Sequence, residues 1–304
     1  MNALNTAADR TLEYHACRYG SSKILFRGPA RRLRGDYISI IGGTETFGKF
    51  IRTPYPDLIE AATGMTTVNL GCQRAGIDAF NNAPGLMDIC ATAQVTVVQI
   101  MGASSMSNRF FTVDPRQNDR FLRASRQFKD IYPEIDFSRF DMTSKMLGEL
   151  VRVGPERLHL VRQELQSAWV ARMRSMLGKI EGKKVLLWLA DHAPFSKADG
   201  GTICRDPLFV DRAMLNAVRE HADELVEIVA SQSEVEAGRD QMVFCEMDQH
   251  AACDMLGPVV HDRVAQTLHP VLTRLIGRTG LPPAIHQRAE PERELVMAEP
   301  LLFV

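Results

Sequence analysis

The sequence predicts an α/β protein built on a five-stranded, mostly parallel sheet, with a helical insertion after the third strand. Three observations lead there. Short apolar runs rich in β-branched residues recur at 37–41, 66–70, 94–101, 184–189 and 224–229, and such side chains suit buried strands. The first three runs break at glycine, at Gly42, Gly71 and Gly102. Helix starts lie between these runs, and strand–helix–strand spacing of this kind favours parallel pairing through right-handed crossovers.

The elements follow in order. Residues 1–36 are polar and irregular, with Arg27, Arg31, Arg32 and Arg34 clustered around Gly28-Pro29; they are expected to form an arm over the sheet edge. Thr53 and Pro54 predict a helix start, carried on through Leu58, Ile59 and Ala62 to a stop at Gly64. A second helix is expected from Asn81 through Leu86, Ile89 and Cys90. The span 117–180 is expected to be wholly helical. In it Leu158, Val161, Leu165, Ala168, Trp169, Met176 and Leu177 recur at threes and fours, which is one apolar face. So long an excursion is expected to serve as a lid, a subdomain or a contact in a homo-oligomer. Asp206-Pro207 predicts another helix opening, running through Val210, Met214 and Val218. The main domain, 37–276, closes with a helix over 258–276 in which Pro270 should cause a kink or a break. Residues 277–304 form a Pro- and Glu-rich tail.

Composition bounds the function. The 304 residues carry a formal net charge of −1, so no global field favours nucleic acid or an anionic membrane. No apolar run is long enough to span a bilayer, and the start lacks the charged-then-apolar pattern of a secretory signal; a cytoplasmic protein is expected. The six cysteines include no C-x-x-C pair, and a disulfide framework is not expected in such a setting. Cys245, Asp248, His250 and Cys253 lie near one another in sequence, but zinc sites show tighter paired spacings. No metal and no cofactor is expected; the partner is a small molecule or carbohydrate.

The loop 42–49 is the first site candidate, because ligands of open α/β sheets bind beyond the carboxyl ends of strands. Gly43 is expected to adopt a backbone conformation closed to residues with a Cβ. Gly43-x4-Gly48-Lys49 nearly matches a phosphate-binding loop, but Phe50 stands where Ser or Thr would hold magnesium. Thr44 offers a hydroxyl, either as a turn cap or as a contact to substrate. His192, beside Asp191, leaves the fourth strand on the same side. Asn108 could donate to an oxyanion and Arg109 could bind a carboxylate, phosphate or sulfate, or else pair with an acid such as Asp114.

Taken together, these loops resemble the SGNH (GDSL-like) hydrolase superfamily, a flavodoxin-like three-layer α/β fold. Gly42-Gly43-Thr44-Glu45-Thr46-Phe47-Gly48 lies in register with that family's first block, G-D-S-x-T-x-G, and Thr44 stands where the nucleophilic serine would be. Val68-Asn69-Leu70-Gly71 resembles the second block, whose glycine donates to the oxyanion; Gly102 through Asn108 is a loose counterpart of the third. Gly257-Pro258-Val259-Val260-His261 resembles the block D-x-x-H before the last helix, with Pro258 in place of the aspartate. The resemblance implies a hydrolase or acyltransferase acting on an ester of a carbohydrate or small metabolite. Thr44 would be the nucleophile, His261 the base, and Gly71 with Asn108 the oxyanion donors. Absent its aspartate, His261 needs a carboxylate from elsewhere, Asp254 or Asp191, to orient the ring. The departures also imply a rival: a binding protein for an anionic or sugar ligand on the same scaffold.

Overall fold

A computed structural model of the chain describes residues 12–195, 206–239, 241–253 and 255–277. Seven strands are described: β1 (Tyr37–Gly42), β2 (Thr66–Gly71), β3 (Val95–Gln99), β4 (Phe111–Val113), β5 (Phe121–Ala124), β6 (Lys183–Ala190) and β7 (Glu224–Val229). Five of them form one sheet in the order β2-β1-β3-β6-β7, and every pair in it is parallel. The expected α/β fold and its flavodoxin-like strand order are therefore observed. β1, β2 and β3 are buried almost end to end, as parallel strands covered on both faces must be.

Two apolar layers sandwich the sheet. On one face Ile38, Ile40, Val95, Val97, Val185 and Leu187 pack against α2 (Tyr55–Thr63) and α11 (Pro258–Ile276). The opposite face, with Ile41, Leu70, Val98, Leu186 and Trp188, packs against α3 (Ile77–Asn81), α4 (Leu86–Ala91), α7 (Leu158–Lys179) and α8 (Arg212–Arg219). The short α1 (Thr44–Phe47), α5 (Arg126–Ile131), α6 (Thr143–Val153), α9 (Gln232–Arg239) and α10 (Gln249–Cys253) complete the described helices.

Several expectations need correction. The span 117–180 is not wholly helical, because Phe121–Ala124 pairs antiparallel with Phe111–Val113 as a small separate ladder. Phe111, Phe121, Phe128 and Phe137 cluster beneath it, so aromatic packing overrides the helical reading. The apolar stripe of α7 is covered by the chain itself: Leu158, Val161, Leu165, Trp169, Met176 and Leu177 are all buried. Trp169 Nε1–H also donates to the Met101 carbonyl at 2.8 Å, pinning the insertion to the end of β3. The first crossover helix starts at Tyr55 with Pro54 as cap, not Thr53. The second, over Leu86, Ile89 and Cys90, is present as α4 but opens at Leu86 with Gly85 as cap; Asn81 instead ends the separate α3. The helix expected from Asp206 starts at Arg212, where the Asp211 side chain accepts from Met214 N–H. α11 runs unbroken through Pro270; Leu268 and Leu272, fully buried on either side of it, hold the helix to the sheet.

The arm is not simply solvated. Arg27 is buried and donates to the carbonyls of Gly48 (2.7 Å), Phe47 (3.4 Å) and Arg52 (2.9 Å), with Tyr14 over its guanidinium. It thereby fixes the loop that follows β1. Among the described residues no helix is long and apolar enough to cross a membrane. Residues 278–304 lie outside the described residues, and with them all but one residue of the expected tail.

Candidate functional site

The order β2-β1-β3 makes β1 the point where the chain reverses its direction across the sheet. The loops leaving β1 and β3 therefore diverge, and in such sheets the crevice between them is the usual ligand position. Gln99, the last residue of β3, ties that crevice together. Its Oε1 accepts from Gly43 N–H (3.1 Å), Thr46 N–H (3.2 Å) and the Thr46 hydroxyl (2.5 Å). Thr46 Oγ1 lies 2.6 Å from the Tyr55 hydroxyl, and the Asn69 amide donates to the Thr46 carbonyl at 3.0 Å. The buried polar groups of Gln99, Thr46 and Asn69 that shape this turn all find partners, as a fixed loop requires.

Gly43 does not carry the backbone constraint expected of it. Its φ is −83°, and a Cβ there would meet only the Ala75 carbonyl and Met101 at 3.8–3.9 Å. The crowding falls on its neighbours. A Cβ at Gly71 would lie 2.2 Å from Phe47 N, and one at Gly42 would lie 1.9 Å from Thr46 Oγ1. At Gly71 the obstacle is helix backbone, which cannot move aside like a side chain. Gly71→Ala is thus expected to cost at least about 2 kcal/mol of stability, and Gly43→Ala less than about 1 kcal/mol. Urea midpoints of the two variants check this; equal midpoints would contradict it.

Thr44 opens α1 at the exit of β1, half-buried, and its Oγ1 accepts from the Arg74 backbone N–H at 3.1 Å. Arg74 sits in the loop after β2 at φ +58°, an uncommon backbone state for a residue with a side chain. The hydroxyl therefore bridges the loops after β1 and β2, with its own proton left to donate. His261, in the first turn of α11, is 1% exposed and belongs to the same edge of the sheet. Its Nδ1 accepts from Tyr55 N–H at 3.0 Å, which leaves the proton of the neutral ring on Nε2. Nε2 faces Glu45 Oε2 at 3.8 Å. Thr44 and His261 share no hydrogen bond, so the expected nucleophile–base pair is not formed in this arrangement.

Glu45 is the residue sequence reasoning missed. Its side chain is 15% exposed, and its Oε1 accepts from Leu256 N–H at 3.2 Å. Burial, with Asp206 as a lesser contributor, pushes its carboxyl up to about 8, against the lowering effect of the Leu256 N–H. Burial also pushes the His261 imidazole down to about 3, with Arg27 adding to it. Neither Glu45 Oε2 nor His261 Nε2 has a partner within hydrogen-bond geometry. Glu45 places a carboxyl group 3.8 Å from Nε2, without a hydrogen bond, whereas the family aspartate would orient the ring through Nδ1. Asp254, the other expected source, lies outside the described residues. The signal was present: a carboxylate between two hydroxyls, inside a loop that had to be buried against the sheet.

The remaining candidates are largely spent on the scaffold. Gly71 N–H donates to Asn69 Oδ1 at 2.8 Å. Asn108 accepts from Phe110 N–H (2.8 Å) and Phe111 N–H (3.2 Å) and donates to the Met106 carbonyl (3.1 Å). Arg109 pairs with Glu164 at 2.8 Å, not with Asp114. His192 packs between Trp188 and Phe195, with Nδ1 3.6 Å from Asp191 Oδ1. Lys49 meets Asp248 at 3.7 Å, and Cys245 donates to that same carboxylate. Among the described residues no cluster of His, Cys, Asp and Glu could hold a metal.

The sequence matches a family model described as a domain of unknown function, DUF6473, over residues 1–276, and the chain belongs to that family. No curated protein matches it. Among solved structures, it is similar to the lipase Lip_vut3 from a goat rumen metagenome: 11% identity, TM-score 0.38, covering 78% of this chain and 97% of that one. It is also similar to BT4096, a gut microbial diltiazem-metabolizing enzyme: 11% identity, TM-score 0.36, 78% and 47% covered. A third is the protein YXIM from Bacillus subtilis: 10% identity, TM-score 0.37, 81% and 58% covered. The chain thus spans about half the length of the latter two.

Proposed function

We propose that this DUF6473 protein takes its ligand at the crevice between β1 and β3. There it would act as an SGNH-like hydrolase or acyltransferase on an ester of a carbohydrate or small metabolite, with Thr44 as the reacting hydroxyl. What supports the reading is the place of Thr44. It stands at the exit of β1, on the switch point of the sheet, with Oγ1 accepting from Arg74 N–H at 3.1 Å and its own proton available. A hydroxyl so placed still needs a base to take that proton, and the nearest titratable group in sequence is Glu45. Steady p-nitrophenol release from p-nitrophenyl acetate, cut at least about a hundredfold by Thr44→Ala, is the expected result. Equal turnover by wild type and Thr44→Ala would remove Thr44 from the chemistry.

A second reading has its own observation behind it. His261 is buried with Nδ1 engaged by Tyr55 N–H, and Gly71 N–H is engaged by Asn69, so the expected base and oxyanion donor are both already bonded to the scaffold. A non-catalytic protein using the crevice for an anionic or sugar ligand fits that arrangement. Absence of turnover, together with saturable sugar binding weakened by Thr44→Ala, would favour it.

A further inference from the structure

We propose that the hollow beside the β4–β5 hairpin is a second site, which binds a tetrahedral oxyanion, phosphate or sulfate, between Arg123 and Arg126. The cavity has a volume of about 360 Å³ and is lined by Asn108, Phe111, Thr112, Arg123, Ser125 and Arg126, with Ala124. That size lies within the range of small-molecule pockets. It leaves room for an organic group attached to the anion.

Charge is what marks this hollow. No carboxylate lines it, and neither Arg123 nor Arg126 has a hydrogen-bond or ion-pair partner among the described residues. Several arginines elsewhere in the insertion are engaged: Arg109 with Glu164, Arg157 with Glu134, Arg172 with Asp78. Two unengaged guanidiniums at one cavity, in a chain of net charge −1, are a local excess of planar donors suited to a multidentate oxyanion. Thr112 lies directly across the ladder from Arg123, so its hydroxyl shares that face.

The walls are fixed before any ligand arrives. Asn108 Oδ1 holds Phe110 N–H and Phe111 N–H, Ser125 N–H donates to the Phe110 carbonyl at 2.7 Å, and Ser125 Oγ accepts from Phe128 N–H at 3.2 Å. Phe111 packs at the same time on Phe121 and Phe128. Only the two arginine side chains must be ordered on binding, which keeps the entropic cost low. Of the candidates considered for the Thr44 crevice it includes only Asn108, whose Oδ1 is already engaged by Phe110 N–H and Phe111 N–H, so it stands or falls independently of the esterase reading.

Calorimetric titration of the full-length chain with inorganic phosphate, and in parallel with glucose 6-phosphate, tests it. Saturable binding is expected, with Arg123→Gln and Arg126→Gln each weakening it at least tenfold. Both variants should keep the wild-type melting temperature in anion-free buffer, since both side chains are exposed, and Thr44→Ala should bind as wild type does. Tighter binding of the sugar phosphate would make the occupant a phosphate ester; equal binding would make it the free ion. No saturable heat beyond a sodium chloride control of equal ionic strength would overturn the proposal, as would wild-type affinity in the double variant Arg123→Gln/Arg126→Gln.

Discussion

Leu165→Glu is expected to unfold the chain rather than to dissociate an oligomer. Leu165 is 0% exposed in the middle of α7, in one cluster with Val161, Trp169, Leu150 and Met146. An unpaired carboxylate there must either stay ionised at a cost of several kcal/mol or be protonated at a smaller one. The lost leucine contacts add to that, since Leu→Ala alone costs about 2–5 kcal/mol in a packed core. Against a total stability of about 5–15 kcal/mol, the sum removes most or all of the folded population. Far-ultraviolet circular dichroism should show no cooperative melt for Leu165→Glu, and a lowered but cooperative one for Leu165→Ala. A folded Leu165→Glu chain with wild-type stability would mean that α7 does not pack as described.

The strands of the main sheet were legible because each carried a local signal, an apolar run, which in the first three is rich in β-branched residues and breaks at glycine. Gly71 shows why that signal says little about cause. The glycine is required because β2 ends against the backbone of α1 at Phe47, a contact between segments some 25 residues apart that no local pattern displays. The stripe of α7 was likewise visible, but which surface would cover it was not, since that depended on α3, α4 and α8 closing over it. The β4–β5 hairpin went unseen because its strands are three and four residues long, and its stability comes from Phe128 and Phe137 further along the chain. At the candidate site, Thr44 and His261 were found through loop position and family register. Their partners were not. Arg74 N–H comes from the loop after β2, Tyr55 N–H from the start of α2 and Glu45 from α1, and hydrogen-bond engagement of a side chain is a tertiary property. A motif can name the atoms of a site without revealing that the scaffold has already used them.

The buried Glu45–His261 pair should give the protein a stability plateau in mildly acidic solution, with a falling limb on each side. Desolvation dominates both groups: Glu45 is raised to about 8 and His261 lowered to about 3, while the unfolded chain keeps ordinary values of about 4.3 and 6.5. Around them stand Arg27, which disfavours imidazolium, and Asp206, which disfavours carboxylate; the Tyr55 hydroxyl is pushed up and stays neutral. For Glu45 the folded value is the higher one. Its contribution is therefore whole below about pH 4.3 and is lost as pH rises towards 8, because the unfolded chain gives up that proton first. For His261 the folded value is the lower one, so its contribution is whole above about pH 6.5 and is lost as pH falls towards 3. Each group alone changes stability by about 1.4 kcal/mol per pH unit within its window. Between about 4.3 and 6.5 the slopes oppose and cancel; above 6.5 the Glu45 limb acts alone, and below 4.3 the His261 limb does. Glu45→Gln should therefore abolish the decline between pH 6.5 and 8 while keeping the acid limb. His261→Asn, whose side-chain oxygen can still accept from Tyr55 N–H, should do the reverse. Urea unfolding across pH 3.5–8.5 reads both limbs. If the wild-type and Glu45→Gln curves run parallel from pH 6.5 to 8, then Glu45 is ionised in the folded protein near neutrality and burial does not hold its proton.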